Sequence, residues 1–254
     1  MFIMVRKFYN FFKKKVFNFF QISKEVQINL FKSDGFNRDL ALNKINEVIN
    51  ISFNEYYNEE NGMFSEHLVL LAAISLSDVK ISSILEIGTY DGKTSVILSK
   101  LFPHANITTV DLPDFEKNFY GTYYREKNLL EFVSKRNQLI SRYKNIRFKE
   151  MNSLKISEFT ENFDLIWVDG DHSYPVVAMD IINSFRLLRK GGLLLIDDIF
   201  KNVRNLSNNY VSLGGFSSLL ALKEANLINK FTLYHKRLGG KFNINKQYIG
   251  LTKK

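Results

Sequence analysis

The chain has no cysteine, only three prolines and a single tryptophan among its 254 residues. Without cysteine it can form neither disulfides nor thiolate metal sites, so any metal it holds must be met by oxygen or imidazole ligands. Pro103, Pro113 and Pro175 are too few for a Pro-rich spacer, and neither an internal repeat nor a low-complexity linker divides the sequence. Acidic residues are also in deficit, 26 against 35 basic ones, for a net charge of +9. Arg6, Lys7, Lys13, Lys14, Lys15 and Lys24, set against Glu25, place +5 of this in residues 1–25. No recognition motif for DNA or RNA accompanies the excess, so a nucleic-acid partner is not expected. With 45% hydrophobic residues, the chain has the composition of one globular α/β domain with an N-terminal extension.

What is present is a series of apolar runs, each ending in Gly or Asp. Leu85-Glu-Ile-Gly-Thr-Tyr-Asp-Gly92, Asp164-Leu-Ile-Trp-Val-Asp-Gly-Asp-His172 and Gly191-Gly-Leu-Leu-Leu-Ile-Asp-Asp198 read as buried parallel strands whose polar ends gather at one sheet edge, where ligands bind. After the first run, Lys93 to Lys100 carries helical apolar spacing, so Gly88 and Gly92 sit in a strand-to-helix turn that admits a ligand close to the backbone. Thr94 and Ser95 suit the start of that helix. The spacing excludes two nucleotide motifs. A dinucleotide fingerprint needs Gly-x-Gly-x-x-Gly, and a phosphate loop needs four residues between its glycines where this chain has three. Glu86 and Asp91 would in addition place negative charge beside the phosphates.

Glu86-x-Gly88-x-x-x-Gly92 is similar to motif I of the class I S-adenosylmethionine-dependent methyltransferases, whose ligand is a sulfonium cation that an acidic strand end suits. The resemblance covers roughly residues 60 to 254 and lies in the order of the segments more than in one motif. It implies a doubly wound, mostly parallel, seven-stranded Rossmann-like α/β sheet with an antiparallel C-terminal strand pair, Phe231–His235 and Gln247–Thr252, and a helical N-terminal extension. The division it suggests is residues 1–60 for the extension and 61–254 for the methyltransferase domain. The cofactor is then held by Glu86, Gly88, Tyr90, Gly92 and Asp169, with Asp111 on the ribose and Asn152 and Ser153 at the adenine.

The second half resembles the metal-dependent O-methyltransferases that act on sugars in antibiotic and surface-glycan pathways. Asp169, Asp197 and Asp198 match the ligands of a divalent metal such as magnesium, Asp171 matches the general base, and His172 is the rival base. The strand order that the resemblance implies also sets these carboxylates close together, where they cannot all stay ionised without a counter-charge: one must take up a proton or a cation must bind. The expected activity is O-methyl transfer to a hydroxyl of a sugar in a glycan or glycoconjugate. The competing readings are a cofactor-binding scaffold without catalysis, and a methyltransferase for a phenolic or peptide acceptor. Arg204, Asn208 and Tyr210 are candidate acceptor contacts after the last Asp pair. His67 reads as a helix residue, Trp167 as core, and His104 and His235 lack companions at metal spacing.

Residues 1–21 pattern as an amphipathic helix, with Phe2, Val5, Phe8, Phe12, Val16 and Phe19 on one face and Arg6, Lys7, Lys13 and Lys14 opposite. Lys13-Lys-Lys15 interrupts the apolar run, so it is neither a transmembrane span nor a signal peptide. Either an anionic membrane surface or a protein surface, including a second subunit of a homo-oligomer, satisfies such a face. The expected location is cytoplasmic, at or away from the inner membrane surface.

Overall fold

A computed structural model describes residues 24–59, 63–121, 127–202, 212–238 and 247–254. The expected helix at 1–21 and the contacts Arg204, Asn208 and Tyr210 lie outside these residues. No described helix is long and apolar enough to cross a membrane.

Among the described residues three helices come first: α1 (Lys24–Ser33), α2 (Arg38–Phe53) and α3 (Glu66–Ser75). The Asn37 side chain accepts the Leu40 N–H at 3.1 Å to start α2, and Asn54 ends it in the left-handed region at φ 56°. Then alternate β1 (Ser83–Ile87), α4 (Lys93–Leu101), β2 (Asn106–Asp111), α5 (Leu129–Ile140), β3 (Ile146–Glu150), β4 (Phe163–Val168), α6 (Val176–Leu187) and β5 (Leu188–Phe200). The chain closes with α7 (Gly214–Glu224), β6 (Phe231–His235) and β7 (Gln247–Lys253).

The sheet has seven strands in the order β3-β2-β1-β4-β5-β7-β6, parallel through β5 and antiparallel at the β5–β7 and β7–β6 pairs. This is the Rossmann-like sheet with the antiparallel terminal pair that the sequence implies. Two antiparallel steps restore direction, so β6 runs parallel to β5. Its end at His235 therefore reaches the same carboxyl edge as the ends of β1, β2, β4 and β5.

Strand alternation sorts the core into two layers. Ile84, Ile107, Leu165, Trp167, Leu193, Leu195 and Tyr234 pack against α1 to α4 on one face. Leu85, Val110, Ile166, Val168, Leu194 and Ile196 pack with α6 and α7 on the other. Continued by two residues, the first series arrives at Glu86, Asp169, Asp197 and Lys236. One rule of strand geometry thus sends the charged residues to the face covered by the N-terminal helices. Phe31, Ala41, Ile45 and Ile49 of α1 and α2 are fully buried in that face's core. At roughly 1.5–3 kcal/mol per large apolar side chain, they tie residues 24–53 into the same packing unit as the sheet. The packing therefore does not divide at residue 60.

Candidate active site

On one side of the carboxyl edge, the turn after β1 passes through Gly88, Tyr90 and Gly92 at φ 99°, 50° and 80°. A Cβ on Gly88 would stand 2.1 Å from the Asp169 carbonyl oxygen, and one on Gly92 would stand 2.8 Å from Ile140 Cγ1. Neighbouring protein atoms therefore require both glycines, beyond the ligand approach that the sequence suggested. Thr94 and Ser95 do not cap α4. Gly92 holds the cap position, and Asp91 Oδ1 accepts the Lys93 N–H at 3.0 Å. Asp111, ending β2, accepts the Tyr90 N–H and the Leu112 N–H at 2.8 Å each, which fixes its carboxylate beside the turn.

Glu86 is fully buried. Its Oε2 accepts the Thr109 hydroxyl at 2.7 Å and the Ser95 hydroxyl, while Oε1 has no partner. Burial pushes this carboxyl up to about 8, with Ser95 and Thr109 opposing and Asp169 and Asp111 adding to the rise. A buried, unpartnered carboxylate oxygen beside a glycine turn fits a cationic ligand group such as the ammonium of S-adenosylmethionine. Asn152 is exposed and caps the 3-10 turn Ser153–Glu158, accepting the Leu154 N–H at 2.9 Å. The oxygen expected at the adenine thus already has a structural duty. Ser153 begins that turn, half-buried beside Asp180 of α6.

The other side of the edge is built from charge. Asp169 follows β4, and its N–H donates to the Ile87 carbonyl at 2.8 Å. Asp171 is exposed, with Oδ1 accepting the Ser173 N–H at 2.7 Å. His172 Nε2 lies 3.4 Å from Asp169 Oδ1 and 3.7 Å from Asp198 Oδ2. Asp197 and Asp198 do not follow a strand end as the sequence suggested. They form a bulge within β5, where Ile196 faces Gly250 of β7 but Ile199 faces Tyr248, and Asp198 takes φ 48°. In a regular strand, adjacent residues face opposite sides. The bulge instead turns both carboxylates to one partner, the Lys236 ammonium, at 2.6 Å from Asp197 Oδ2 and 2.7 Å from Asp198 Oδ1.

Lys236 was not singled out in the sequence. It follows β6, two strands and about 10 Å from β5 in the sheet, and its side chain is 13% exposed. A polar residue just past a C-terminal strand end was the available signal, since the same rule picks out Asp169. Burial opposes its charge, yet Asp197, Asp198 and Asp169 hold it above the usual lysine range. Asp197 is held below the carboxylate range: burial works to raise it, and Lys236, His67 and His172 outweigh burial. Asp169 is pushed up to about 7 by burial and the Asp197 charge, against His172 and Lys236. Burial disfavours charge on His172, but Asp169 and Asp198 hold it up at about 9. The counter-charge that the carboxylates require is thus supplied from within the chain.

The N-terminal helices roof this side. His67 stacks on Trp167 with ring centroids 5.1 Å apart, and its Nδ1 is 2.6 Å from Ser65 Oγ. Burial pushes it down to about 4, so it is neutral. The Glu66 N–H donates to the Lys236 carbonyl at 3.0 Å, and the buried Glu66 carboxylate pairs with Arg38, whose Nε is 2.9 Å from Oε2. The Gln27 amide joins Glu66 to the backbone of His235.

Asp169, His172 and Asp197 each bring a potential ligand atom within 4.8 Å of the others, and Asp197 Oδ1 and His172 Nδ1 are buried without partners. This donor set differs from the expected Asp169, Asp197 and Asp198. The Lys236 ammonium takes one oxygen each of Asp197 and Asp198, so its positive charge stands against a divalent ion in this set.

Residues 85–199 match the model of a family described as a methyltransferase domain. No curated protein matches the sequence. Among solved structures, the chain is similar to a "putative O-methyltransferase from Klebsiella pneumoniae", at 17% identity and TM-score 0.51, over 90% of this chain and 96% of that one. It is also similar to the N-methyltransferase NodS from Bradyrhizobium japonicum WM9 in complex with S-adenosyl-l-homocysteine, at 18% identity and TM-score 0.52, over 85% and 98%. The chain thus matches a methyltransferase domain over residues 85–199 and has the Rossmann-like methyltransferase fold.

Proposed function

We propose that this chain is an S-adenosylmethionine-dependent O-methyltransferase acting on a hydroxyl of a sugar in a glycan or glycoconjugate. The observation that carries the reading is Glu86, buried beside the glycine turn with Oε1 unpartnered and with Asp111 and Asp169 close enough to perturb it. In this reading Glu86 receives the cofactor ammonium, Asp111 the ribose, and the 88–92 turn the chain between them. When bound, S-adenosylmethionine supplies the methyl group: the acceptor oxygen forms the new C–O bond as the C–S bond breaks, and the electron pair stays on sulfur in S-adenosylhomocysteine.

The residues of this chain hold the acceptor and take its proton. His172 Nε2 lies between the carboxylates of Asp169 and Asp198, which keep the ring protonated, so it positions these groups and is not free to take the acceptor's proton. Asp171, fixed by the Ser173 amide, is then the proton acceptor. The sugar as acceptor rests on the resemblance of 168–174 and 197–198 to sugar methyltransferases, and the polar side chains of Asp169, Asp171, His172 and Asp198 at this edge support it. The divalent metal implied by the same resemblance is assigned no step, because the Lys236 ammonium, on one oxygen each of Asp197 and Asp198, already places a positive charge there. Residues 1–21 would bring the enzyme to an anionic membrane or a protein partner.

Two measurements test the reading: calorimetry with S-adenosylhomocysteine, and transfer of labelled methyl from S-adenosylmethionine to a panel of sugars and phenols. Asp171→Asn should slow transfer by about 10²–10⁴-fold while the Kd for S-adenosylhomocysteine changes by less than about threefold. Absence of S-adenosylhomocysteine binding would overturn the methyltransferase reading, and transfer to phenols alone would overturn the sugar assignment.

A further inference from the structure

We infer that Lys236 is the built-in cation of the acceptor edge, seated between Asp197 and Asp198 where a divalent ion would bind, and that the chain binds no divalent metal there until the lysine charge is removed. The inference rests on the methyltransferase reading only for calling this edge the acceptor side; the cation site stands on geometry.

Three observations converge on it. The β5 bulge, with Asp198 at φ 48°, directs two consecutive carboxylates to one point, and that point is the Lys236 nitrogen at 2.6 and 2.7 Å. A structural surface lysine needs no such backbone distortion. Next, β6 runs parallel to β5, and the Lys236 backbone is pinned on both sides: its N–H donates to the Gln247 carbonyl at 3.1 Å and its carbonyl accepts the Glu66 N–H at 3.0 Å. The ammonium is therefore delivered to the site by ordered backbone. Finally, Asp197 is only 3% exposed, yet its Oδ1 has no partner. Asp197, with Asp169 and His172, also makes a donor set whose ligand atoms lie within 4.8 Å of one another. The donors for a metal are thus assembled around a charge that repels one.

An ammonium has three N–H donors, and Asp197 and Asp198 take two. No further hydrogen bond from it is formed among the described residues, so one donor is left for the acceptor oxygen. Unlike a bound ion, this cation cannot be removed by a chelator or exchanged for another metal.

Manganese is a suitable probe because carboxylate and imidazole accept it and its bound and free forms are distinguished by electron paramagnetic resonance. The full-length wild-type chain should show no Asp197-dependent Mn²⁺ binding up to about 1 mM. Lys236→Met should bind one Mn²⁺ per chain at least about tenfold more tightly, and Lys236→Met with Asp197→Asn should lose it again. Mn²⁺ bound by the wild type and released by Asp197→Asn would overturn the inference. A folded Lys236→Met that gains no Mn²⁺ would overturn it equally. Should Lys236→Met fail to fold, the wild type against Asp197→Asn decides alone: Mn²⁺ that Asp197→Asn removes sinks the inference, and none bound upholds it. S-adenosylhomocysteine binding, followed on the same samples, reports separately on the methyltransferase reading.

Discussion

The two sides of the carboxyl edge are made differently. Around β1 and β2 the site is mostly backbone: left-handed turn residues, Asp111 held by two amides, and Glu86 buried with hydroxyls from Ser95 and Thr109. Around β4, β5 and β6 it is side-chain charge brought from distant parts of the chain, with Lys236 lying 39 and 38 residues beyond Asp197 and Asp198. The first side is organised within β1, β2 and the turn after β1, and it meets the second where Gly88 packs on Asp169. The second depends on the sheet order and on the N-terminal helices that hold β6. A perturbation far from the edge should therefore damage the charged side first.

The sharpest way to break this asymmetry is Arg38→Met, which leaves Glu66 buried without its cation. Removing one partner of a buried pair costs about 3–5 kcal/mol, so urea unfolding should shift by that order. Hydrogen exchange should accelerate at β6 and Lys236 before β1. Equal acceleration at both would remove the distinction.

Gly88→Ala attacks the place where the sides meet. The new Cβ would stand 2.1 Å from the Asp169 carbonyl oxygen at φ 99°, so the turns on both sides must separate. The left-handed backbone alone costs roughly 1–2 kcal/mol for an alanine. With the clash added, loss of S-adenosylhomocysteine binding in calorimetry is expected, together with a lower Tm.

Glu86→Gln sharpens the comparison from the cofactor side. The Glu86 carboxyl rises from 4.5 to about 8 in the folded chain. Its folded pKa exceeds the unfolded one, so the folded state holds this proton more tightly. That contribution is fully present below pH 4.5 and is lost as pH climbs through about 8. Glutamine cannot lose a proton, so the variant should outlast the wild type in thermal unfolding at pH 9. It should also bind S-adenosylhomocysteine about tenfold more weakly. A variant no more stable than the wild type at that pH would contradict the buried-carboxylate account.

The smallest effect is expected outside both sides. A chain lacking residues 1–21 should keep its S-adenosylhomocysteine affinity and lose sedimentation with phosphatidylglycerol vesicles. Retained sedimentation would remove the membrane assignment.

The same asymmetry explains what the sequence made legible. Glu86, Gly88, Gly92 and Asp111 announce themselves because strand, turn and polar end are contiguous in the chain. That Asp169, Asp197 and Asp198 need a proton or a cation was equally readable, once the resemblance placed them side by side. The identity of that cation was not, because Lys236 arrives through two antiparallel steps of the sheet. Nor could a pattern of residues reveal that Asn152 uses its oxygen as a cap or that Gly88 is required by Asp169. The membership of 24–53 in the sheet's core was hidden for a related reason. An amphipathic helix shows which face it buries but not the surface that receives it.

Between Ile196 and Ile199, β5 contains one more residue than β7 does opposite it. Deleting one aspartate there would give the ladder a regular pairing, and the edge would lose the convergence of two carboxylates on Lys236. Chain length at this point matters as much as residue type. In a set of relatives aligned to this chain, a one-residue gap opposite 197–198 would mark those unable to seat the lysine. Such a gap would separate them even where both the lysine and one aspartate had been kept.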